Sequence, residues 1–444
     1  MIAIAEGNYS AAVYTLGCKV NFYESEAIAE ALSAKGVEIR PFDDVCDIYV
    51  INTCTVTADS DRKALKIIRR AARLNPNAFI AVTGCLAQRR PELISGIEGV
   101  SLIAGNEGKI SVAERILNAM GSKASKQVDI LPFTDTLESA SINAFDRTRA
   151  YIKIEDGCSS KCAYCIIPKA RGPVRSKPRE DILKEVRALV SGGCREVVLT
   201  GIEISSYQYD LPALLYELDK IDGLERIRLG SLDPFYINKH VADALCGSKK
   251  LCPHFHISLQ SGSSRVLAAM RRKYNAETAF ENISYLKSLF PDCALFADVI
   301  VGFPGETDAD FGDTVDFIKR VRFLHLHIFP YSRRDDTEAA NMENQIPKHI
   351  KKARAAYLAD TQSCIKRELL EDFVHSGKKA NVLFETYRDG VLKGHSDNFI
   401  EFVCPADQNM RGEIGTVVPV CSDGEMITGY LLSSSDTSKL SSSS

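Results

Sequence analysis

The sequence predicts an α/β protein in three parts: a doubly wound parallel-sheet N-terminal domain, a partial (βα)6 barrel, and a small C-terminal all-β barrel. Three observations lead there. A chain of 444 residues is long for one core and suits two or three. Short apolar runs alternate with helix-sized intervals, in two blocks separated by a Ser-, Asp- and Thr-rich stretch. The last β-rich segments have no helices between them. With 45% hydrophobic and 25% charged residues the composition is that of an ordinary globular protein. No apolar run reaches the roughly 18 residues of a membrane helix, and the opening MIAIAEGNYSAA lacks the parts of a signal peptide. A cytoplasmic protein without membrane contact is therefore expected. A net charge of -3 excludes a histone-like basic surface, so any RNA contact must be local.

In the first block, expected over 9–122, AAVYTLG from Ala11 reads as a strand and a helix follows from about Tyr23 to Lys35. VEIRPF from Val37 and CDIYVIN from Cys46 are the next strands, then a basic helix from about Ser60 to Leu74. FIAVTG from Phe79, SLIAG from Ser101 and a helix near Lys109 to Met120 complete the domain. The stretch 123–145 reads as a linker. In the second block, 146–374, strands are expected at Tyr151–Glu155, Glu196–Thr200, Arg226–Gly230, His254–Leu259, Leu295–Val301 and Phe323–Phe329. Six units fall short of the eight that close a barrel. A long amphipathic helix, about Lys348 to Phe373, ends this block. Residues 375–433 hold ANVLFET, NFIEFVC, IGTVVPVC and EMITGYLL, a small β-barrel, and 434–444 is a low-complexity tail expected to be disordered.

Fourteen cysteines are the unusual feature. A large protein in a reducing compartment has no need of disulfides, so clustered thiols point to metal or redox chemistry. Cys158, Cys162 and Cys165 form Cys-x3-Cys-x2-Cys after the first barrel strand. Three close thiolates suit a [4Fe–4S] cubane with one iron left open. The alternative, zinc, needs four ligands, usually from Cys-x2-Cys pairs at two places. In a βα barrel this loop lies at the mouth, where ligands bind. Cys18, Cys54 and Cys85 end the strands TLGC, INTC and VTGC. Strand ends of a parallel sheet converge on one edge, so three loops bring three thiols together there. A lone cysteine at such a place is core filler; three in one small domain form a pattern.

GCSSKCAYC resembles the radical S-adenosylmethionine (SAM) superfamily, and the resemblance implies that SAM chelates the open iron and is cleaved to a 5′-deoxyadenosyl radical. It also implies SAM contacts: Tyr164 against the adenine, Gly201 and Glu203 of the GIE string at the amino group, and Ser231, Ser258 and Gln260 at ribose and carboxylate. A Ser or Gln at a strand end caps a helix as often as it binds a ligand, and the turn in VIVGFPGET serves equally to join strand to helix. Over nearly the whole chain, motif order and spacing resemble the methylthiotransferases: a cluster domain, a radical SAM barrel and a TRAM domain. That resemblance implies a second [4Fe–4S] cluster on Cys18, Cys54 and Cys85. LGCKVNFYESE, INTCTVTADSDRKALKIIRRA, TGCLAQRRPE and GCSSKCAYCIIPKARGPVRSKP are similar to the branch that adds a methylthio group to carbon 2 of N6-threonylcarbamoyladenosine at tRNA position 37. The branch acting on isopentenyladenosine typically has Gln-Met-Asn after its first cysteine, and the ribosomal-protein branch Pro-Lys-Asn; this chain has Lys19-Val20-Asn21. One SAM is implied to methylate a sulfur on the N-terminal cluster and a second to supply the radical that removes the carbon 2 hydrogen. An electron donor such as a flavodoxin or ferredoxin, and a sulfur donor, are implied partners. The family's FPYSPRPGT is replaced by FPYSRRDDT at 329–337, so that loop is expected to bend differently.

For RNA, Arg62, Lys63, Lys66, Arg69, Arg70 and Arg73 give one helix a run of six positive charges, either a phosphate-binding stripe or a solvated face. Arg171, Arg175, Lys177 and Arg179 follow the cluster loop and are expected near the mouth. Lys378, Lys379, Arg388 and Lys393 lie on the final barrel, which resembles TRAM, an RNA-binding fold, and equally reads as a lid. The other eight cysteines read mostly as core residues. Of His254 and His256, alternating on one strand, one could face the cavity, with a satisfied core role preferred. The absence of a phosphate-binding loop or nucleophile elbow leaves ATP use and triad hydrolysis without support, and no general base is indicated. Rival readings are an isopentenyladenosine or ribosomal-protein methylthiotransferase and a non-catalytic iron–sulfur, RNA-binding redox scaffold.

Overall fold

The structure is a computed structural model that describes residues 9–122, 126–138, 142 and 148–432; the expected tail and parts of the expected linker lie outside them. The N-terminal sheet contains β1 (Ser10–Thr15), β2 (Glu38–Ile39), β3 (Ile48–Thr53), β4 (Phe79–Gly84), β5 (Val100–Ala104) and β6 (Gln127–Asp129). All pairs are parallel, in the order β2-β1-β3-β4-β5-β6. Every residue of β3 is buried, as a central strand with helices on both faces requires. Helix α1 (Lys19–Ser33) follows β1, and α2 (Ala58–Leu74) follows β3. Thr57 caps α2 by accepting the Ser60 N–H, and Ala64, Ile68 and Ala71 form its buried stripe.

One expectation is corrected here. Within the stretch read as a linker, 127–129 adds β6 to the sheet, with Leu102 opposite Gln127. This edge strand has no apolar run to announce it: Val128 is 52% exposed, and backbone pairing together with the Arg115–Asp129 ion pair at 2.6 Å holds it.

The barrel comprises β7 (Ala150–Lys153), a short antiparallel pair β8 (Glu155–Asp156) and β9 (Arg175–Ser176), β10 (Glu196–Thr200), β11 (Arg226–Leu229), β12 (Ser231–Leu232), β13 (His254–Gln260), β14 (Ala294–Val301) and β15 (His325–Pro330). β11-β10-β7 and β12-β13-β14-β15 form two parallel sheets, with β11 and β12 separated only by Gly230. Six strand positions thus form an open, curved wall. The helix Lys348–His375 packs along β15, and its Gln362 donates to the Leu324 carbonyl at 2.9 Å. The chain ends in a closed barrel of β16 (Ala380–Arg388), β17 (Val391–Ser396), β18 (Glu401–Pro405), β20 (Ile427–Leu431) and β19 (Ile414–Ser422).

Buried charges join the parts. Between sheet domain and βα barrel, Glu24 of α1 accepts from Arg171 at 2.9 Å and Lys153 at 3.1 Å, and lies 3.4 Å from the Lys109 ammonium. Asp156 shares Arg171 at 2.9 Å and Lys153 at 3.2 Å. At the final barrel, Arg228 donates to the Asp397 and Ser396 carbonyls, both at 2.7 Å, and pairs with Glu196 at 2.7 Å. Burial pushes the Glu196 carboxyl up, but Arg228 and Arg149 outweigh it and bring it down to about 2.

A chamber between two cysteine triads

Cys18, Cys54 and Cys85 stand at the carboxyl ends of β1, β3 and β4, three neighbouring strands. Glycine brings their loops together. Gly17 has φ +109°, and a Cβ there would lie 2.9 Å from the Cys54 Cβ; Gly84 has φ +100°, and its Cβ would lie 2.3 Å from the Thr53 carbonyl oxygen. Cys85 accepts from Asn106 Nδ2 at 3.5 Å, and Cys18 faces Asn21 Oδ1 at 3.8 Å. Cys158, Cys162 and Cys165 form the second group; the Ser160 N–H points at Cys158 Sγ from 3.4 Å, and Arg272 Nη1 at Cys162 Sγ from 3.3 Å.

Both triads open on shared space. A cavity of about 1090 Å³ is lined by Cys18, Cys54 and Cys85, and an adjoining one of about 340 Å³ by Cys158, Cys162 and Cys165. Cys18, Gly201, Ser231 and Asp298 line both. Cys18 is exposed, but toward this chamber, and burial raises its thiol pKa. Burial likewise pushes Cys54 and Cys165 up to about 12, each reinforced by a neighbouring cysteine of its own triad. Thiols so placed stay protonated at neutral pH unless a cation compensates the thiolates, which is what an iron cluster does. Three sulfurs per group, a donor aimed at one sulfur of the first group and at two of the second, and open space beside each fit two clusters with one free iron apiece.

The smaller cavity gathers Tyr164, Gly201, Glu203, Ser231, Ser258 and Gln260. A Cβ on Gly201 would lie 2.6 Å from Glu155 Oε2, the atom that accepts the Glu203 N–H at 2.8 Å. Burial, then the Asp233 carboxylate, raises Glu203 to about 7, and its Oε1 is buried without a hydrogen-bond partner among the described residues. An unpaired acceptor beside the open thiol group fits the amino group of SAM. Gln260 adopts φ +65°, ending β13 abruptly at the cavity.

The basic residues separate. Arg62 lines the larger cavity, and Lys66 and Arg69 are exposed on α2. Arg70 pairs with Asp43 beside the Phe42 ring. Arg171 and Arg175 do not fit the expectation of RNA contact: they are 0% and 2% exposed, Arg171 held by Glu24 and Asp156, Arg175 by Glu107. Lys177 is buried against Glu185. On the final barrel, Lys378 pairs with Asp292 and Lys393 with Glu401. His256 faces the chamber, whereas His254 is buried and stacks on Phe399. Among the remaining cysteines, Cys46, Cys194, Cys252 and Cys404 are buried, but Cys246, Cys364 and Cys421 are exposed on helix or barrel surfaces.

Several chamber residues carried no signal as single letters. Arg272 joins Cys162 to Asp233, which it meets at 2.6 Å. Asp298 and His327 lie on inward-facing strand positions, and Lys348, Lys351 and Lys352 come from the helix after the barrel. The divergent loop after β15 clasps the first domain: Ser332 Oγ accepts the Ala58 N–H at 3.1 Å, Arg334 donates to Thr55 at 2.9 Å, and Arg89 pairs with Asp336 at 3.0 Å.

An open βα wall with a three-thiol loop at its mouth, fused to a sheet with a second thiol triad, defines a two-cluster enzyme of the radical SAM type. Residues 152–318 match the Radical SAM superfamily and residues 10–105 the Uncharacterized protein family UPF0004. The chain is 39% identical over 425 residues to a threonylcarbamoyladenosine tRNA methylthiotransferase of Bacillus subtilis, covering 91% of this chain and 92% of the relative. It is 36% identical to a tRNA-2-methylthio-N(6)-dimethylallyladenosine synthase of Acetivibrio thermocellus, covering 84% and 79%. The chain belongs to the methylthiotransferase family of radical SAM enzymes. In fold it resembles the radical S-adenosylmethionine methyltransferase TsrM of Kitasatospora setae, with TM-score 0.57, 15% identity and 75% of each chain covered.

Proposed function

We propose that this enzyme adds a methylthio group to carbon 2 of N6-threonylcarbamoyladenosine at position 37 of tRNA. The observation that carries the reading is the common chamber, which gives a base access to both thiol triads at once. Cys158, Cys162 and Cys165 hold one [4Fe–4S] cluster and its SAM; Cys18, Cys54 and Cys85 hold the other. When bound, these groups supply a radical that removes a hydrogen atom from the base and a methylthio group that replaces it. The chain itself positions and shields. Glu203, Ser258 and Gln260 orient SAM, Tyr164 flanks it, and Arg272 fixes the cluster loop to the strand-end Asp233. The clasp from Ser332 to Asp336 keeps the sheet domain closed on the barrel and bulk water out, as a reactive radical requires. Arg62 and the lysines at 348, 351 and 352 offer cations at the chamber for the phosphates flanking the base. The enzyme acts in the cytoplasm with a one-electron donor of flavodoxin or ferredoxin type and a sulfur donor.

Nucleoside mass spectrometry on a deletion strain tests the substrate: loss of the methylthio form of threonylcarbamoyladenosine alone is expected, and an unchanged profile refutes the reading. Replacing Cys158, Cys162 or Cys165 with Ala should abolish deoxyadenosine formation. Replacing Cys18, Cys54 or Cys85 should stop methylthiolation while SAM cleavage stays measurable.

A further inference from the structure

One wall of the larger cavity holds polar groups that neither cluster site uses. His256 on β13, Asp298 on β14 and His327 on β15 reach inward from adjacent strands, with one ligand-type atom of each within 4.8 Å of the others. His256 Nε2 lies 3.1 Å from Asp298 Oδ1. Lys19 lines the same cavity, is only partly exposed, and makes no hydrogen bond or ion pair with any described residue. Although its backbone follows Cys18, it lines the cavity together with His256, Asp298 and His327. A partly buried cation without a partner is costly, and a chamber that keeps one is built to receive an anion. The lysine also disfavours a metal ion on the two histidines and Asp298, since it would add a second positive charge to the same space.

The chemistry of the substrate supplies such an anion. Carbon 2 of the purine must face the clusters, and the N6 substituent leaves carbon 6, on the other side of N1 from carbon 2, so it extends along the same edge of the base within reach of the chamber wall. A threonylcarbamoyl substituent carries a urea, a hydroxyl and a free carboxylate; an isopentenyl substituent is hydrocarbon. We infer that Lys19 is the specificity residue of this chamber, pairing with the carboxylate of the N6-threonylcarbamoyl group while His256, Asp298 and His327 line the space for its urea and hydroxyl. An isopentenyl group in the same place leaves Lys19 unpaired and the polar wall desolvated, the kind of mismatch that discriminates most strongly. The inference rests on the substrate reading above and adds the residue that enforces it.

The experiment measures holoenzyme binding to two anticodon stem-loops, one carrying N6-threonylcarbamoyladenosine and one carrying its carboxamide, in which the carboxylate is neutral. Iron and sulfide content are matched across proteins. The parent should prefer the carboxylate, and Lys19→Met should lower that preference by about 10- to 150-fold, the range for a hydrogen bond to a charged group. Affinity for the carboxamide should change little, and Lys19→Arg should restore most of the preference. Equal preference in Lys19→Met and parent overturns the inference alone, as does an equal loss for both ligands. A parent that neither binds nor methylthiolates the threonylcarbamoyl stem-loop overturns the substrate reading itself.

Discussion

Replacing Glu24 with Gln should destabilise the protein far more than its single lost charge suggests. The Glu24 side chain is 1% exposed, and its carboxylate meets Arg171 at 2.9 Å, Lys153 at 3.1 Å and Lys109 at 3.4 Å. Burial alone would raise its pKa; the three cations outweigh burial and hold it well below the usual carboxylate range. Three cations face two carboxylates in this network, Glu24 and Asp156. Glu24→Gln keeps the shape and leaves all three facing one. Removing one partner of a buried pair costs roughly 3–5 kcal/mol, a large part of the about 5–15 kcal/mol typical of folded proteins. The Lys378–Asp292 pair is the control: both side chains are more than half exposed, so Lys378→Ala should change stability by no more than about 1 kcal/mol. Urea unfolding of anaerobic protein reads both, followed by tyrosine emission because the chain has no tryptophan. Combining Glu24→Gln with Arg171→Met should cost less than the two singles added, by about 0.5–3 kcal/mol. A Glu24→Gln loss under about 1 kcal/mol, or strict additivity, would refute the network as the interdomain lock.

Three further outcomes follow from features already described. Glu196 sits at about 2 in the folded protein against 4.5 ordinarily, so the unfolded chain binds the extra proton and stability rises with pH through that window. About 3 kcal/mol, fully present above pH 5, should be lost between pH 5 and 2, and acid titration of Glu196→Gln should lack that component; an identical slope would contradict it. Gly84→Ala forces a Cβ to within 2.3 Å of the Thr53 carbonyl at φ +100°, so iron per chain in reconstituted protein should fall by about half as Cys85 is displaced; full iron content would count against the loop geometry. Lys66→Ala and Arg69→Ala, on exposed α2 positions, should each reduce the slope of log tRNA affinity against log salt by about 1, and unchanged slopes in both would remove α2 from the RNA surface.

Legibility in the sequence followed a physical division. Strands such as Ile48–Thr53 and Phe79–Gly84 open with apolar runs, IYVI and FIAV, because both faces are buried, and such runs are visible without partners. β6 exists through backbone pairing at an edge, which no side-chain pattern encodes. The gathering of six cysteines into two triads was legible because one set is close in sequence and the other stands at neighbouring strand ends. Arg171 and Arg175 misled because charge in a sequence reads as exposure, whereas their acidic partners, Glu24 and Glu107, lie 147 and 68 residues away. Asp298 and His327 had no local signature: they matter because adjacent strands turn them into one cavity, a relation only the fold creates.

The clasp between the sheet domain and the loop after β15 also orders events during synthesis. Ala58 and Ser332 are 274 residues apart, so the first domain is complete on the ribosome long before the segment that covers it exists. Domains fold as they emerge, N-terminal first. Cys18, Cys54 and Cys85 therefore spend that interval at an uncovered sheet edge, open to whatever delivers iron and sulfide. The arrival of β15 and of the loop after it marks the end of easy access to these three thiols.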